Sequence, residues 1–204
     1  AGPPFKLDHT NQIHTNFVNC VRFSPDGTLI VSVGSDKKMQ FYDGVTGEPK
    51  ECVDTAHAGT IYSATFNGDG TKLLTVSADK TAKLWDVGTR TAEKTFTFTA
   101  SSIETVAQVS DMQVACAFNK TYQGGKFITL SLNGNLNILD ADAGTSTSLC
   151  SHQGVGISAS FYSSTSNTIF TADTNGAVLM RNISDENGNA IKAETTNKRS
   201  ITNC

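Results

Sequence analysis

Short apolar runs separated by turn-forming residues organise the first half of the chain. Apolar and polar positions alternate in 18–23, and 24–27 reads Ser-Pro-Asp-Gly, a combination that favours a tight reversal. The β-rich run 29–33 follows, so the pattern predicts a hairpin. A second reversal at 35–37 leads into the apolar run 39–42, which predicts a third strand.

The same pattern recurs further along the chain. Residues 14–43 can be laid over 57–86, and the matching landmarks stay 43 positions apart. The matched pairs are His14 and His57, Asp26 and Asp69, Gly27 and Gly70, Asp36 and Asp79, and Asp43 and Asp86. This period falls in the range of one four-stranded blade of a β-propeller, whereas ankyrin and tetratricopeptide repeats are shorter.

Two weaker copies follow. Residues 128–140 match the second half of a blade, with Asn133 and an Asn-Gly turn where the second copy has Asp79. Asn133 lies 54 residues after Asp79, so this copy is expected to hold an insertion within 108–125. A fourth copy spans 170–180 and places Asn175 at a distance of 42 residues from Asn133.

The repeats predict an all-β chain of about four WD-repeat β-propeller blades, each a four-stranded antiparallel sheet. Two regular repeats are predicted at 14–56 and 57–99, followed by a degenerate repeat with an insertion at 100–150 and a second degenerate repeat at 151–185. A leading segment with an outer strand is predicted at 1–13, and a linker or incomplete strand at 186–204. The core is expected between neighbouring blades and is predicted to include Val21, Phe23, Val31, Phe41, Phe66, Leu74, Leu84, Leu130, Ile138, Phe161 and Phe170.

Composition narrows the class of protein. Charged residues make up 17% of the chain and the net charge is −3, so there is no basic field for nucleic acid. No run of apolar residues is long enough to span a membrane, and the first residues do not resemble a secretory signal. Five dispersed cysteines suit neither a disulfide framework nor a zinc site. We expect a soluble cytoplasmic protein with no nucleic-acid or membrane partner.

A histidine, a hydroxyl residue, a carboxylate and an aromatic residue recur at equal spacing in the first two repeats. The two sets are His14, Ser32, Asp36 and Tyr42, and His57, Thr75, Asp79 and Trp85. A nucleophilic triad uses the first three residue types. An active site occurs once, however, whereas this set recurs with the period of the fold. The pattern therefore favours a structural tetrad of buried hydrogen bonds over a hydrolase.

No other motif indicates catalysis, a cofactor or a metal. Gly124 and Gly125 are not followed by the Lys-Ser/Thr pair of a phosphate-binding loop, and the four histidines include no His-Glu-x-x-His pair. We therefore expect a chain without catalytic, cofactor-binding or metal-binding residues.

Beyond the repeat itself, several stretches of the amino-acid sequence resemble the actin-interacting protein 1 family. The stretches that carry the resemblance are 2–6 (Gly-Pro-Pro-Phe-Lys), 17–27, 42–44 with 46–48, 74–87 and 130–137. The likeness spans about residues 2–180 and places the chain in the first of two seven-bladed propellers. It implies a non-enzymatic scaffold that binds actin filaments together with cofilin or ADF, promotes their disassembly and limits barbed-end growth at the actin cytoskeleton.

The resemblance also implies a partner-binding surface. Aromatic residues of the leading segment belong to this surface in the family, and Phe17 matches one such position, while Leu7 stands at another beside Phe5. Strand alternation turns Phe17 toward the loop side if Val18 faces the core. The alternative is that Phe17 folds back over 3–5 and has only a packing role. A WD scaffold with other clients, such as a ubiquitin-ligase adaptor or a signalling platform, is the second function that the sequence leaves open.

Overall fold

Four antiparallel sheets follow one another along the chain. The structure is a computed structural model that describes residues 10–98, 111–118, 126–150, 157–163, 168–182 and 190–191. Blade 1 contains β1 (Val18–Phe23), β2 (Leu29–Gly34), β3 (Met39–Asp43) and β4 (Pro49–Val53). Blade 2 contains β5 (Ile61–Phe66), β6 (Lys72–Ser77), β7 (Thr81–Asp86) and β8 (Thr91–Thr97). Blade 3 contains β9 (Gln113–Phe118), β10 (Lys126–Ser131), β11 (Asn135–Asp140) and β12 (Thr145–Cys150). Blade 4 contains β13 (Ile157–Ser163), β14 (Thr168–Asp173), β15 (Val178–Asn182) and β16 (Ala190–Ile191).

Each blade is an up-and-down meander in which every strand pairs with the next along the chain. This arrangement confirms the predicted all-β fold of four-stranded antiparallel blades. The described residues contain no helix of the length and apolarity that a membrane crossing requires.

Tight turns join the inner strands as the sequence pattern predicts. Between β2 and β3, the amide of Lys37 donates to the carbonyl of Gly34 at 3.2 Å, and Lys37 has a positive φ of 69°. Blade 3 places Gly134, with a φ of 90°, at the matching position. Glycine adopts this backbone conformation without the Cβ clash that a lysine must accept. The two turns therefore share one geometry despite different residues.

The hydrophobic core lies between neighbouring blades. We call the side of each sheet that faces the preceding blade its leading face and the opposite side its trailing face. The trailing face of blade 1 presents the buried residues Val31, Val33, Met39 and Phe41 to the leading face of blade 2, which presents Ile61, Ala64, Leu73 and Trp85. Leu74, Val76 and Leu84 of blade 2 pack in the same way on Phe127 and Leu139 of blade 3. Ile128, Leu130 and Leu136 then pack on Ile157 and Ile169 of blade 4.

An arginine of blade 2 contacts blade 1 at the edge of the first of these interfaces. The guanidinium of Arg90, in the β7–β8 connection, lies 4.1 Å from the ring centroid of Phe41 in blade 1. Its Nε also donates to Glu51 on β4 at 2.9 Å. Cation–π and ion-pair contacts thus add to the apolar packing between blades 1 and 2.

Most of the predicted core is found inside these interfaces. Val31, Phe41, Leu74, Leu84 and Leu130 are buried, and Phe66, Ile138 and Phe170 are partly buried. Three predictions were wrong, because Val21, Phe23 and Phe161 expose 50%, 60% and 62% of their surface.

The three exposed residues lie on the two outermost faces of the described stack. Val21 and Phe23 are on the leading face of blade 1, where no earlier blade is described. Phe161 pairs with Phe170 as Arg22 pairs with Val31, which places Phe161 on the trailing face of blade 4. Alternation correctly gave the side of the strand, but these sides have no neighbouring blade among the described residues.

The insertion of blade 3 lies at a different place from the one that the sequence pattern predicts. The stretch 108–125 contains β9 (Gln113–Phe118), which pairs with β10 as the first strand of the blade. The longer spacing arises chiefly before that strand, because β8 ends at Thr97 and β9 begins at Gln113. At the other end of the chain, the two-residue strand β16 pairs with β15 within 186–204.

Candidate functional site

The structure brings together all four members of the predicted tetrad in blade 2. The Nε2 atom of His57 lies 2.7 Å from Oγ1 of Thr75, and its Nδ1 atom lies 2.9 Å from a carboxylate oxygen of Asp79. Trp85 Nε1 donates to the same Thr75 hydroxyl at 2.8 Å. His57 and Thr75 are buried, with 1% and 0% of their surface exposed. A connection ahead of β5 is thereby tied to the β6–β7 hairpin.

One assignment of protons satisfies every partner in this chain of hydrogen bonds. A carboxylate only accepts, so His57 donates its Nδ1–H to Asp79. In the neutral tautomer that carries this proton, the other ring nitrogen accepts from the hydroxyl of Thr75, whose oxygen in turn accepts from the indole of Trp85. A fully satisfied buried network of this kind holds its members in one arrangement.

Blade 1 carries the corresponding tetrad with serine and tyrosine. Nδ1 of His14 lies 2.9 and 3.0 Å from the two carboxylate oxygens of Asp36, and its Nε2 lies 2.7 Å from Oγ of Ser32. The hydroxyl of Tyr42 lies 3.1 Å from the same serine oxygen. Tyrosine and tryptophan therefore contact the hydroxyl residue from equivalent positions, the tyrosine through its O–H and the tryptophan through its N–H.

Hydrogen bonds stabilise the ionised form of the carboxylate in each tetrad. Burial by itself raises the pKa of Asp79, but hydrogen bonds from His57 and Thr81 outweigh this effect and hold the pKa well below its ordinary value. The amide of Ala58 also donates to Asp79, at 2.9 Å. The pKa of Asp36 is lowered in the same way, with burial opposed by hydrogen bonds from His14 and from the amide of Thr15.

The hydroxyl of the blade 2 tetrad is not a free nucleophile. Thr75 is fully buried and both its neighbours already use its oxygen. A nucleophile must reach a substrate, and the hydroxyl of Thr75 is closed off by the interface between blades 1 and 2. Among the described residues, no group of three or more potential metal ligands comes together either.

Blade 3 replaces the tetrad with a neutral amide network that the sequence reasoning missed. Gln113 accepts through Oε1 from Thr129 at 2.8 Å and from Asn137 at 3.1 Å, and its Nε2 donates to Ser131 at 2.9 Å. All four residues are at least 97% buried. Thr129 is the only one of the four that the periodicity singled out, because the longer spacing before β9 hides the position of Gln113.

Blade 3 also has different residues at the positions of the tetrad's histidine and aspartate. At the offset of 54 residues, Asp111 stands in the place of His57 and Asn133 in the place of Asp79. Asn133 Nδ2 donates to Asp111 at 3.5 Å, so donor and acceptor have changed places across the same gap. The Nζ of Lys80 lies 3.9 Å from Asp111, which adds an ion pair between blades 2 and 3.

Of the three predicted partner-binding residues, the structure describes Phe17, whereas Phe5 and Leu7 lie outside the described residues. The side chain of Phe17 is 78% exposed, beside the Asp36 turn. Its backbone is fixed, since its carbonyl accepts from the amide of Ser35 at 2.8 Å and its own amide donates to Asn16 at 2.8 Å. Its neighbour Val18, expected in the core, is 48% exposed on the open leading face of blade 1.

Comparison with known proteins identifies the repeat in the first two blades. Residues 5–43 and 50–86 match the family described as WD domain, G-beta repeat. These two stretches of the chain are WD repeats. The chain is 47% identical over 142 residues to WD repeat-containing protein 1-B of Xenopus laevis and 42% identical over 142 residues to WD repeat-containing protein 1 of Gallus gallus. It is also 47% identical over 145 residues to Actin-interacting protein 1-2 of Arabidopsis thaliana.

These similarities confirm the resemblance found in the sequence. The alignments cover 68% or 69% of this WD-repeat chain but only 21% or 22% of each relative. The chain thus spans about a fifth of the length of the relatives it matches.

We predict that the tetrad of blade 2 supports stability. Trp85→Ala should lower the free energy of unfolding by about 3–5 kcal/mol, because it empties a buried aromatic site. His57→Ala should lower it by about 1–3 kcal/mol through the lost buried hydrogen bonds. Urea denaturation measures both, with Val45→Ala, at a position 87% exposed, as the control. A midpoint equal to that of the parent chain for Trp85→Ala would contradict the structural role.

We further predict a pH-dependent effect for Asp79→Asn. The lowered pKa in the folded state means that the ionised carboxylate stabilises the fold above the unfolded pKa of about 3.9 and that this contribution is lost as the pH falls through the folded value. The variant should therefore be less stable than the parent by about 1–2 kcal/mol near pH 6, and the gap should narrow below about pH 4.

Urea denaturation at a series of pH values measures this gap. Asp142→Asn is the matched control, because Asp142 is an exposed aspartate in the β11–β12 turn. A gap for Asp79→Asn that stays constant from pH 6 to pH 3 would show that the charge of Asp79 does not stabilise the fold.

Proposed function

We propose that this chain is a non-catalytic actin-binding scaffold that cooperates with cofilin or ADF in disassembling actin filaments and limits growth at barbed ends. The support is its 47% identity over 145 residues to a plant protein named Actin-interacting protein 1-2. That similarity covers 69% of the chain, well beyond the two matched WD repeats, so it carries more than the fold. We place the protein in the cytoplasm at the actin cytoskeleton on the same grounds.

The arrangement of the tetrads supports a scaffold over an enzyme. Their hydroxyl residues Ser32 and Thr75 are buried and engaged with histidine and an aromatic partner in both blades. A set that repeats with the blades suits internal stabilisation rather than turnover. The net charge of −3 gives no basis for a nucleic-acid partner.

The proposed contact surface on this chain consists of Phe17 together with Phe5 and Leu7 of the leading segment. It combines an exposed aromatic side chain with a backbone held by hydrogen bonds on both sides. The carbonyl of Phe17 lies so close to β2 that a Cβ on Gly34 would meet it at 2.6 Å. A large apolar side chain on a fixed backbone loses little conformational entropy when it is buried by a partner.

We predict that Phe17→Ala weakens binding to cofilin-decorated actin filaments by roughly ten-fold or more, as expected when an interface anchor is truncated. The thermal midpoint should stay close to that of the parent chain, because the side chain is mostly outside the core. Cosedimentation of the 204-residue chain with decorated filaments measures the first effect, and a thermal melt measures the second.

Val45→Ala is the matched control. Val45 is 87% exposed in the β3–β4 turn, at the opposite end of the strands from Phe17. Equal losses for both variants, or a loss for Phe17→Ala that accompanies unfolding, would remove Phe17 from the contact surface. If the parent chain itself stays in the supernatant, a WD scaffold with other clients, such as a ubiquitin-ligase adaptor or a signalling platform, becomes the better description.

A further inference from the structure

All non-glycine residues with a positive φ in the described part of the chain are basic. They are Lys37, Lys80 and Arg90, with φ values of 69°, 66° and 60°. An L residue with a side chain rarely adopts this backbone conformation, because its Cβ crowds the neighbouring peptide. Such residues persist where another contact or a function outweighs the strain.

Glycine stands in blades 3 and 4 at the position that Lys37 and Lys80 occupy in blades 1 and 2. In every blade the amide of this residue closes the turn between the second and third strands on the carbonyl three residues earlier. Gly134 and Gly176 have φ values of 90° and 89° there. Because glycine fits this turn without strain, the two lysines must be explained by what their side chains do.

Two of the basic residues make contacts between blades that compensate for the strain. Arg90 packs its guanidinium on the ring of Phe41 and pairs with Glu51, both in blade 1. Nζ of Lys80 lies 3.9 Å from a carboxylate oxygen of Asp111, in the segment that leads into blade 3. The side chains of Arg90 and Lys80 are therefore accounted for by the packing of neighbouring blades.

Lys37 lies beside the matching segment ahead of blade 2, residues 54–60, but has no acidic partner at the matching position. The carbonyl of Lys37 accepts from the amide of Ala56 at 3.1 Å, which places this segment next to the turn. The residue that corresponds to Asp111 is His57, and its ring is bound within the tetrad. The contact that Lys80 makes in blade 2 is therefore missing for Lys37 in blade 1.

The one carboxylate in 54–60 is already paired with another lysine. Oδ1 of Asp54 accepts from Nζ of Lys38 at 2.7 Å. Among the residues that the structure describes, the ammonium of Lys37 forms no ion pair, and Lys37 is exposed. The strain at Lys37 thus lacks the internal contact that compensates for it at Lys80 and Arg90.

We propose that Lys37 pairs with an acidic side chain of the cofilin-decorated filament, next to the apolar site that takes Phe17. The inference rests on the proposed function and adds a charge to its contact surface. The turn that carries Lys37 also holds Phe17, since the carbonyl of Phe17 accepts from the amide of Ser35 at 2.8 Å. Phe17 is 78% exposed, so an apolar anchor and a cation lie side by side. A charge beside the anchor favours a partner of opposite sign and speeds association.

Lys37→Gly separates the role of the side chain from that of the backbone. Glycine removes the ammonium and relieves the strained φ, so the thermal midpoint should equal or exceed that of the parent chain. Cosedimentation of the 204-residue chain with cofilin-decorated filaments should nevertheless show binding weakened by roughly three-fold, the effect of one exposed ion pair. Lys37→Glu should weaken binding by about ten-fold or more through like-charge repulsion.

The salt dependence of binding gives a second readout. Dissolved ions screen an exposed ion pair, whereas they do not screen an apolar contact. Between about 50 mM and about 200 mM salt, binding of the parent chain should therefore fall more steeply than binding of Lys37→Gly.

Two variants serve as matched controls. Lys80→Gly makes the same substitution at the matching turn of blade 2, where the ammonium lies against Asp111. Val45→Glu changes the net charge by as much as Lys37→Gly does, but in the exposed β3–β4 turn at the opposite end of the strands. Both controls should bind decorated filaments as the parent chain does.

The possible outcomes distinguish this inference from the proposed function. Unchanged binding for both Lys37 variants, or a loss that the controls share, would overturn the pairing at Lys37 and leave the proposed function standing. A lowered thermal midpoint for Lys37→Gly would also overturn the pairing, because the lysine would then stabilise the fold itself. A parent chain that does not sediment with the filaments would overturn the proposed function and this inference together.

Discussion

The structure depends on the contact between the trailing face of one blade and the leading face of the next. A single four-stranded sheet of this sequence is apolar on both faces, and it cannot bury either face against itself. Phe41 and Trp85 belong to the core of the first interface from its two sides, and neither is more than 4% exposed. The position of each strand, and of every polar residue between the sheets, follows from this stacking.

The polar groups within these interfaces show that one geometric demand can be met by different chemistry. Blades 1 and 2 use histidine with an ionised aspartate, whereas blade 3 uses the amides of Gln113 and Asn137. In each case a buried hydroxyl residue of the second strand is bound from two sides. Buried polar atoms must be satisfied, but the physics does not specify which donor supplies the bond.

The sequence was sufficient to predict features that depend on local chemistry and period. Alternating residues indicated the strands, and Asp36 and Asp79 indicated the turns between β2 and β3 and between β6 and β7. It could not predict the exposure of Val21 or Phe161, because period-two alternation gives the side of a strand and not the presence of a neighbouring sheet. Gln113 escaped notice since the extra residues before β9 break the offset that reveals the other polar positions.

The buried tetrad and the exposed aromatic residue of blade 1 are physically connected. The carboxylate of Asp36 binds both the ring of His14 and the amide of Thr15, which fixes the chain just ahead of Phe17. Ser35, the residue before Asp36, then donates its amide to the carbonyl of Phe17. The hydrogen bonds that stabilise the blade thus also hold the loop that presents Phe17. The loop that presents Phe17 is therefore ordered before a partner binds. Because hydrogen bonds within the blade already fix its backbone, binding needs to order little more than the side chain.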